Sequence, residues 1–201
     1  MPDSSIHFQS GGPLHARHRQ AVLLDRDKTL NEDPGYLNDP ELVALLPGVV
    51  QGLQKLQAAG FLLIILSNQS GLGRGKISPE QLFAVNQRLL ELLQREFIRI
   101  ERIYYCPHTD DDGCNCRKPA PGLVQAALED FQLEPQNCWI AGDRFRDLKC
   151  AEGAGIPGLL VGEEEIPVGA PLPLEAPANL IFHGQDLHAA ADHILKHRSH
   201  L

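Results

Sequence analysis

Asp25 and Asp27 stand one residue apart, directly after the apolar run Ala21–Leu24. Side chains of an extended chain alternate in direction, so the two carboxylates point to the same side. Two converging carboxylates can divide labour. One attacks phosphorus as a nucleophile, and the other donates a proton to the leaving oxygen and then activates water. An Asp-x-Asp pair alone arises by chance in many chains, but three later features supply what such chemistry needs. Ser67-Asn68-Gln69-Ser70-Gly71 follows a second apolar run and offers a hydroxyl and backbone N–H groups to phosphate oxygens. Lys118, in Arg117-Lys118-Pro119, brings a compact positive charge for a transferring phosphoryl group. Asp143, in Gly142-Asp143, adds a carboxylate that completes an oxygen-rich site for Mg²⁺, and Asp147 follows four residues on.

A second constellation lies just before Lys118. Cys106-Pro107-His108 and Cys114-Asn115-Cys116 put three cysteines and a histidine within eleven residues. A Cys₃His set suits tetrahedral Zn²⁺, and four protein ligands leave no open position for catalysis. Zinc bound by residues 106–116 would order an irregular loop and fix Arg117-Lys118 over Asp25. The chain has five cysteines, an odd number, which fits metal binding in a reducing cytosol better than a disulfide framework. Cys138 and Cys150 read as buried apolar fillers.

These groups need a frame, and the apolar pattern supplies one. Strands are expected at Ala21–Leu24, Phe61–Leu66, Ile100–Tyr105, Cys138–Ala141, Gly158–Val161 and Leu180–Phe182. Between them fall helices at about Val49–Ala58, Pro121–Phe131 and Phe145–Ala154, with a last one at Leu187–Lys196. One further helix announces itself: Ser78 as N-cap, Pro79 in the first turn and Gln81 completing a capping box, before the stripe Leu82, Val85, Leu89, Leu92, Leu93. Strands alternating with helices predict an α/β fold, a Rossmann-like parallel sheet with helices on both faces. Asp25, Ser67 and Asp143 would then share the carboxyl edge of the sheet, where open α/β sheets bind ligands. Residues 1–19 read as a mobile tail, 20–201 as one domain, and 163–178 as an irregular connection.

In order and spacing, the motifs around Asp25, Ser67, Lys118 and Asp143 resemble the haloacid dehalogenase superfamily, across about Ala21 to Val161. The resemblance implies Asp25 as nucleophile, forming an aspartyl-phosphate, and Asp27 as general acid and base. It implies Mg²⁺ held by Asp25, the backbone carbonyl of Asp27, and Asp143, with Ser67 and Lys118 stabilising the phosphoryl group. Asp147 would orient Lys118 or a metal-bound water. Lys28 stands where the family usually has Gly, which puts the shape of that turn in question. With its zinc loop and no large insertion, the chain resembles a capless subgroup. Some members of that subgroup act on D-glycero-D-manno-heptose 1,7-bisphosphate, and others on histidinol phosphate. Asp33, Gly35 and Tyr36, and the run Asn68, Gln69, Ser70 through Arg74, look like substrate loops of the heptose type. Arg117 and Arg144 join them as expected substrate contacts, although Arg144 and the compact zinc loop also fit the histidinol type. The implied reaction is removal of the heptose 7-phosphate, with histidinol phosphate as the alternative.

Composition narrows the partners. The 201-residue chain carries a net charge of −8 and 43% hydrophobic residues, which suits a single α/β domain acting on a small phosphorylated metabolite. An acidic chain without an aromatic and basic stripe argues against nucleic acid, including a nucleic-acid 3′-phosphatase role. The longest apolar run, Phe61–Leu66, is far below the roughly 20 residues that span a bilayer, and no signal peptide is evident, so a cytoplasmic monomer is expected. His183, His188, His193, His197 and His200 read as solvated side chains, and a non-catalytic zinc module is disfavoured by the intact Asp25, Asp27, Lys118 and Asp143.

Overall fold

The structure, a computed structural model, describes residues 19–197 and the backbone of Phe8–Gln9. The tail expected over 1–19 therefore lies outside the described residues except at its end and at that short strand, and His200 lies outside them too. In chain order the strands are β1 (Phe8–Gln9), β2 (Ala21–Leu24), β3 (Leu62–Asn68), β4 (Arg102–Cys106), β5 (Cys138–Gly142), β6 (Gly158–Val161) and β7 (Leu180–Gly184). The helices are α1 (Val49–Ala58), α2 (Ser70–Gly73), α3 (Pro79–Arg95), α4 (Gly122–Phe131), α5 (Phe145–Glu152) and α6 (Leu187–His197). The sheet order is β1-β4-β3-β2-β5-β6-β7. Every pairing is parallel except β1 on β4.

Alternation along the strands makes the two-sided core. Val22 and Leu24 of β2 turn toward α1, α3 and α6, where they meet Leu53, Leu89 and Ile194. Ala21 and Leu23 turn the other way, into a cluster with Val124 of α4 and Leu148 of α5. Both faces of β2 are closed, which is why it reads as an unbroken apolar run. Leu23 is fully buried, and truncating such a leucine to alanine costs about 2–5 kcal/mol.

Several elements run past their apolar signal. β3 continues through Ser67 and Asn68, because the backbone ladder pairs these polar residues with Tyr105 and Cys106 of β4. β7 likewise extends to Gly184, paired with Val161. β4 begins at Arg102, two residues later than the apolar pattern suggests, and α5 stops at Glu152. The capping box on α3 forms as expected: Gln81 N–H donates to Ser78 Oγ at 3.2 Å, and Ser78 N–H donates to Gln81 Oε1 at 2.8 Å.

The chain leaves β2 for β3 on one side and later places β5 on the other. The crevice at the carboxyl ends of β2 and β5 is thus the point where the strand order reverses, and Asp25 and Asp143 follow those two strands directly.

Candidate active site

Asp25 continues the line of β2, its N–H bonded to Ala141 O of β5 at 2.9 Å. Asp25 is only 7% exposed, and its carboxylate meets those of Asp143 and Asp147, also buried, with ligand oxygens of the three within 4.8 Å of one another. Lys118 reaches the cluster from the loop before α4. Its ammonium donates to Asp25 Oδ1 at 2.5 Å and to Leu66 O at 2.7 Å, and it pairs with Asp147 Oδ1 at 2.8 Å. All three ammonium protons thereby have acceptors. Burial alone would lower the Lys118 pKa, but Asp147 and Asp25 outweigh it and hold the group above the ordinary lysine value. Asp147 also accepts the Arg144 N–H at 3.0 Å, so it caps the start of α5 while steering Lys118.

Three carboxylates around one ammonium leave excess negative charge in a dry place. Burial pushes the Asp25 carboxyl up to about 7, against the pull of Lys118. Burial, then Asp25 and Asp147, push Asp143 up to about 8. A hard divalent cation relieves this, and an all-oxygen donor set is the kind Mg²⁺ prefers. The residues present therefore fit the expected ion.

Asp27 faces the same crevice but is held differently. Arg26 donates from Nε to Asp27 Oδ1 at 2.9 Å, and Gln69 Nε2 donates to Asp27 Oδ2 at 2.7 Å. Arg26 itself is 1% exposed and donates from Nη1 to Asn86 Oδ1 of α3 at 2.7 Å. Gln69 Nε2 also reaches Ser67 Oγ at 2.8 Å, linking the hydroxyl to the acid–base candidate. Neither Arg26 nor Asn86 was singled out by sequence reasoning. Asn86 left a trace, as a polar residue four after Leu82 and three before Leu89 on the buried stripe of α3.

These groups floor an open cavity of about 420 Å³. Asp33, Gly35, Tyr36, Asn68, Gln69, Ser70, Arg117 and Arg144 line it, as does Arg146, which the sequence did not flag. Ser67 and Lys118 are 1% and 2% exposed and sit behind this lining. Gly71 lets two walls meet, since a Cβ there would stand 2.9 Å from the Tyr36 ring. Arg74 is placed apart from the lining, paired with Asp110 at 3.0 Å, and Asp110 also takes Arg117 Nε at 2.8 Å. Asn68 serves its neighbour: it accepts Lys118 N–H and donates to Lys118 O, both at 3.0 Å, a two-point clamp on that loop. Lys28 has φ of 60°, so the turn does need the left-handed conformation that glycine adopts easily, and its side chain pairs with Glu164 at 2.9 Å.

The cysteine loop converges as its spacing suggested. Cys106, Cys114 and Cys116 sulfurs lie 3.1–3.6 Å apart, and His108 Nδ1 is 3.2 Å from Cys116 and 3.5 Å from Cys106. Zn–S bonds of about 2.3 Å in a tetrahedron separate sulfurs by roughly 3.8 Å, so a small expansion admits Zn²⁺. Gly122 is needed where α4 abuts this loop, because a Cβ there would stand 2.5 Å from Asn115 O. Cys138 and Cys150 are buried among apolar neighbours. His193 stacks on His197 with centroids 4.2 Å apart. Among the described residues, no helix is long and apolar enough to cross a membrane.

Comparison with known proteins agrees with this geometry. A family model described as haloacid dehalogenase-like hydrolase matches residues 5–155. The D-glycero-β-D-manno-heptose-1,7-bisphosphate 7-phosphatase of Pasteurella multocida is 33% identical over 156 residues, covering 75% of this chain and 85% of that protein. A histidine biosynthesis bifunctional protein of Legionella pneumophila is 37% identical over 141 residues, 69% of this chain but 40% of that protein. Among solved structures, D,D-heptose 1,7-bisphosphate phosphatase from B. bronchiseptica, complexed with magnesium and phosphate, gives a TM-score of 0.78 at 31% identity, covering 88% of this chain and 98% of that one.

Proposed function

The chain belongs to the haloacid dehalogenase-like hydrolases and is a phosphatase, and we propose that it removes the 7-phosphate of D-glycero-D-manno-heptose 1,7-bisphosphate through an aspartyl-phosphate on Asp25. The observation that carries this reading is the buried Asp25 at the sheet's switch point, its carboxylate oriented by Lys118 at 2.5 Å and flanked by Asp143.

Asp25 Oδ attacks phosphorus, the bond to the sugar oxygen breaks, and Asp27 gives that oxygen its proton. Water then attacks the phosphorus of the aspartyl-phosphate and loses its proton to Asp27. Inorganic phosphate leaves and Asp25 is regenerated. Lys118 and Ser67 hold the phosphoryl oxygens in both steps, fixed beforehand by Leu66 O, Asp147 and Gln69. Asp25, the Asp27 carbonyl and Asp143 would hold Mg²⁺, which neutralises charge building on the transferring group. Cys106, His108, Cys114 and Cys116 would hold a structural Zn²⁺ that keeps the Lys118 loop in place. Asp33, Gly35, Tyr36, Ser70, Arg117 and Arg144 would contact the rest of the sugar, in a cytoplasmic monomer.

The relatives named for the heptose reaction, and a cavity open enough for a sugar, support this substrate. Similarity to the histidine biosynthesis protein supports a second reading, histidinol phosphate. Phosphate release with Mg²⁺ from the two esters, side by side, separates them. A heptose kcat/KM ahead by about 10²-fold, roughly 2.7 kcal/mol in the transition state, supports the first reading, and the reverse order replaces it with the second.

A further inference from the structure

We propose that Lys28 and Arg144 form a second anion subsite on the cavity rim, filled without substrate by the chain's own Glu164 and taken over by a second anionic group of the substrate. This rests on the phosphatase reading above and adds a specificity determinant to it.

Three separate segments meet at one oxygen. Glu164 Oε2 lies 2.9 Å from Lys28 Nζ and 2.9 Å from Arg144 Nη2. Arg144 Nη1 also donates to Glu164 O at 3.0 Å. Lys28 comes from the turn after Asp27, Arg144 from the residue after Asp143, and Glu164 from the irregular connection. Two cations brought to one acceptor mark a place prepared for negative charge. Both cations line the cavity that holds Asp25; Lys28 also lines the adjoining one, to which Glu164 belongs.

The occupant is exchangeable. Side chains of Lys28, Glu164 and Arg144 are 38%, 39% and 36% exposed, and ion pairs this wet are weak. A phosphate monoester carries more charge than a carboxylate and more acceptor oxygens for the Arg144 fork. Lys28 keeps its side chain at this rim despite a left-handed φ of 60°, a conformation that glycine would adopt without strain. Arg74, which the sequence placed in a substrate loop, is instead engaged by Asp110 outside the cavity lining.

The test compares D-glycero-D-manno-heptose 1,7-bisphosphate with the 7-monophosphate, which differ only in the second anion. Lys28→Ala is expected to lower the ratio of bisphosphate to monophosphate kcat/KM by about tenfold or more, mainly through KM. Glu164→Gln is expected to raise the same ratio, since the competing carboxylate is gone. Equal losses on both esters, or no change in the ratio from either variant, would overturn the subsite. Calorimetric titration of the bisphosphate into Asp25→Asn, with and without Lys28→Ala, reads the subsite without turnover. Weaker binding in the double variant supports the subsite even if the wild type releases no phosphate, a result that would count against the substrate reading alone. Unchanged affinity overturns the subsite whatever the activity.

Discussion

The carboxylate cluster and the cysteine loop meet at Arg117-Lys118, yet the chain builds them in different ways. Asp25 and Asp143 extend paired strands of a closed sheet, so their places are fixed by backbone ladders and by two packed core faces. Cys106 ends β4, but His108, Cys114 and Cys116 hang on an irregular segment broken only by a short 3₁₀ turn at Asp110–Asp112. One cluster is a preformed and strained arrangement of charge, left open to a cavity. The other is a closed set of soft ligands, of the kind that suits Zn²⁺, carried by a loop with little regular structure. The proposed dependence runs one way: a rigid site takes its lysine from a loop whose Cys₃His set would be held by zinc.

The sharpest break between the two regions comes from Lys118→Ala. Among the described residues, it removes the only ammonium paired within the carboxylate cluster while leaving the cysteines untouched. Loss of such a preorganised donor is expected to cost kcat about 10³-fold, measured by phosphate release, with the zinc content unchanged by metal analysis. Cys116→Ser attacks the other side. Zinc content should fall and kcat should drop by about 10–100-fold, while far-UV circular dichroism keeps the signature of the sheet. A Cys116→Ser variant with full activity would show that Lys118 is held without the zinc site.

Asn68→Leu tests the seam itself. Its two hydrogen bonds to the Lys118 backbone are worth about 1 kcal/mol each, so kcat is expected to fall roughly tenfold with zinc retained. The smallest effect concerns pH. Asp25 and Asp143 carry folded pKa values of about 7 and 8, against 3.8 for the free side chain. Between about pH 4 and those values the metal-free fold keeps protons that the unfolded chain releases, so its stability falls as pH rises through that window. Mg²⁺ held by Asp25 and Asp143 would displace those protons. The gain in Tm on adding Mg²⁺ is therefore expected to be larger near pH 8 than near pH 5, and a pH-independent gain would contradict the placement of the ion.

Much of this was legible in the residues. Asp25, Asp143 and Lys118 follow or precede recognisable elements, and the parallel run of the strands puts the first two on one edge. Cys106 to Cys116 carries its chemistry in its spacing. The Arg26 to Asn86 contact spans 60 residues of chain, and nothing local marks such a pairing beyond a polar residue in an apolar stripe. The same holds for Glu164, whose partners Lys28 and Arg144 are known only once the irregular connection has folded back. Arg74 shows the reverse case: an arginine near the site by sequence, paired in the structure with an acid of the neighbouring loop. Strand ends at Asn68 and Gly184 were missed because backbone pairing continues where hydrophobicity stops.

The most direct test of the central claim is an acid-quenched reaction with heptose 1,7-bisphosphate and Mg²⁺, followed by mass analysis of the peptide that contains Asp25. One phosphoryl group on Asp25, absent from Asp25→Asn and lost on further incubation with release of inorganic phosphate, is the expected result. Phosphate release that persists in Asp25→Asn, with no phosphorylated peptide, would contradict it.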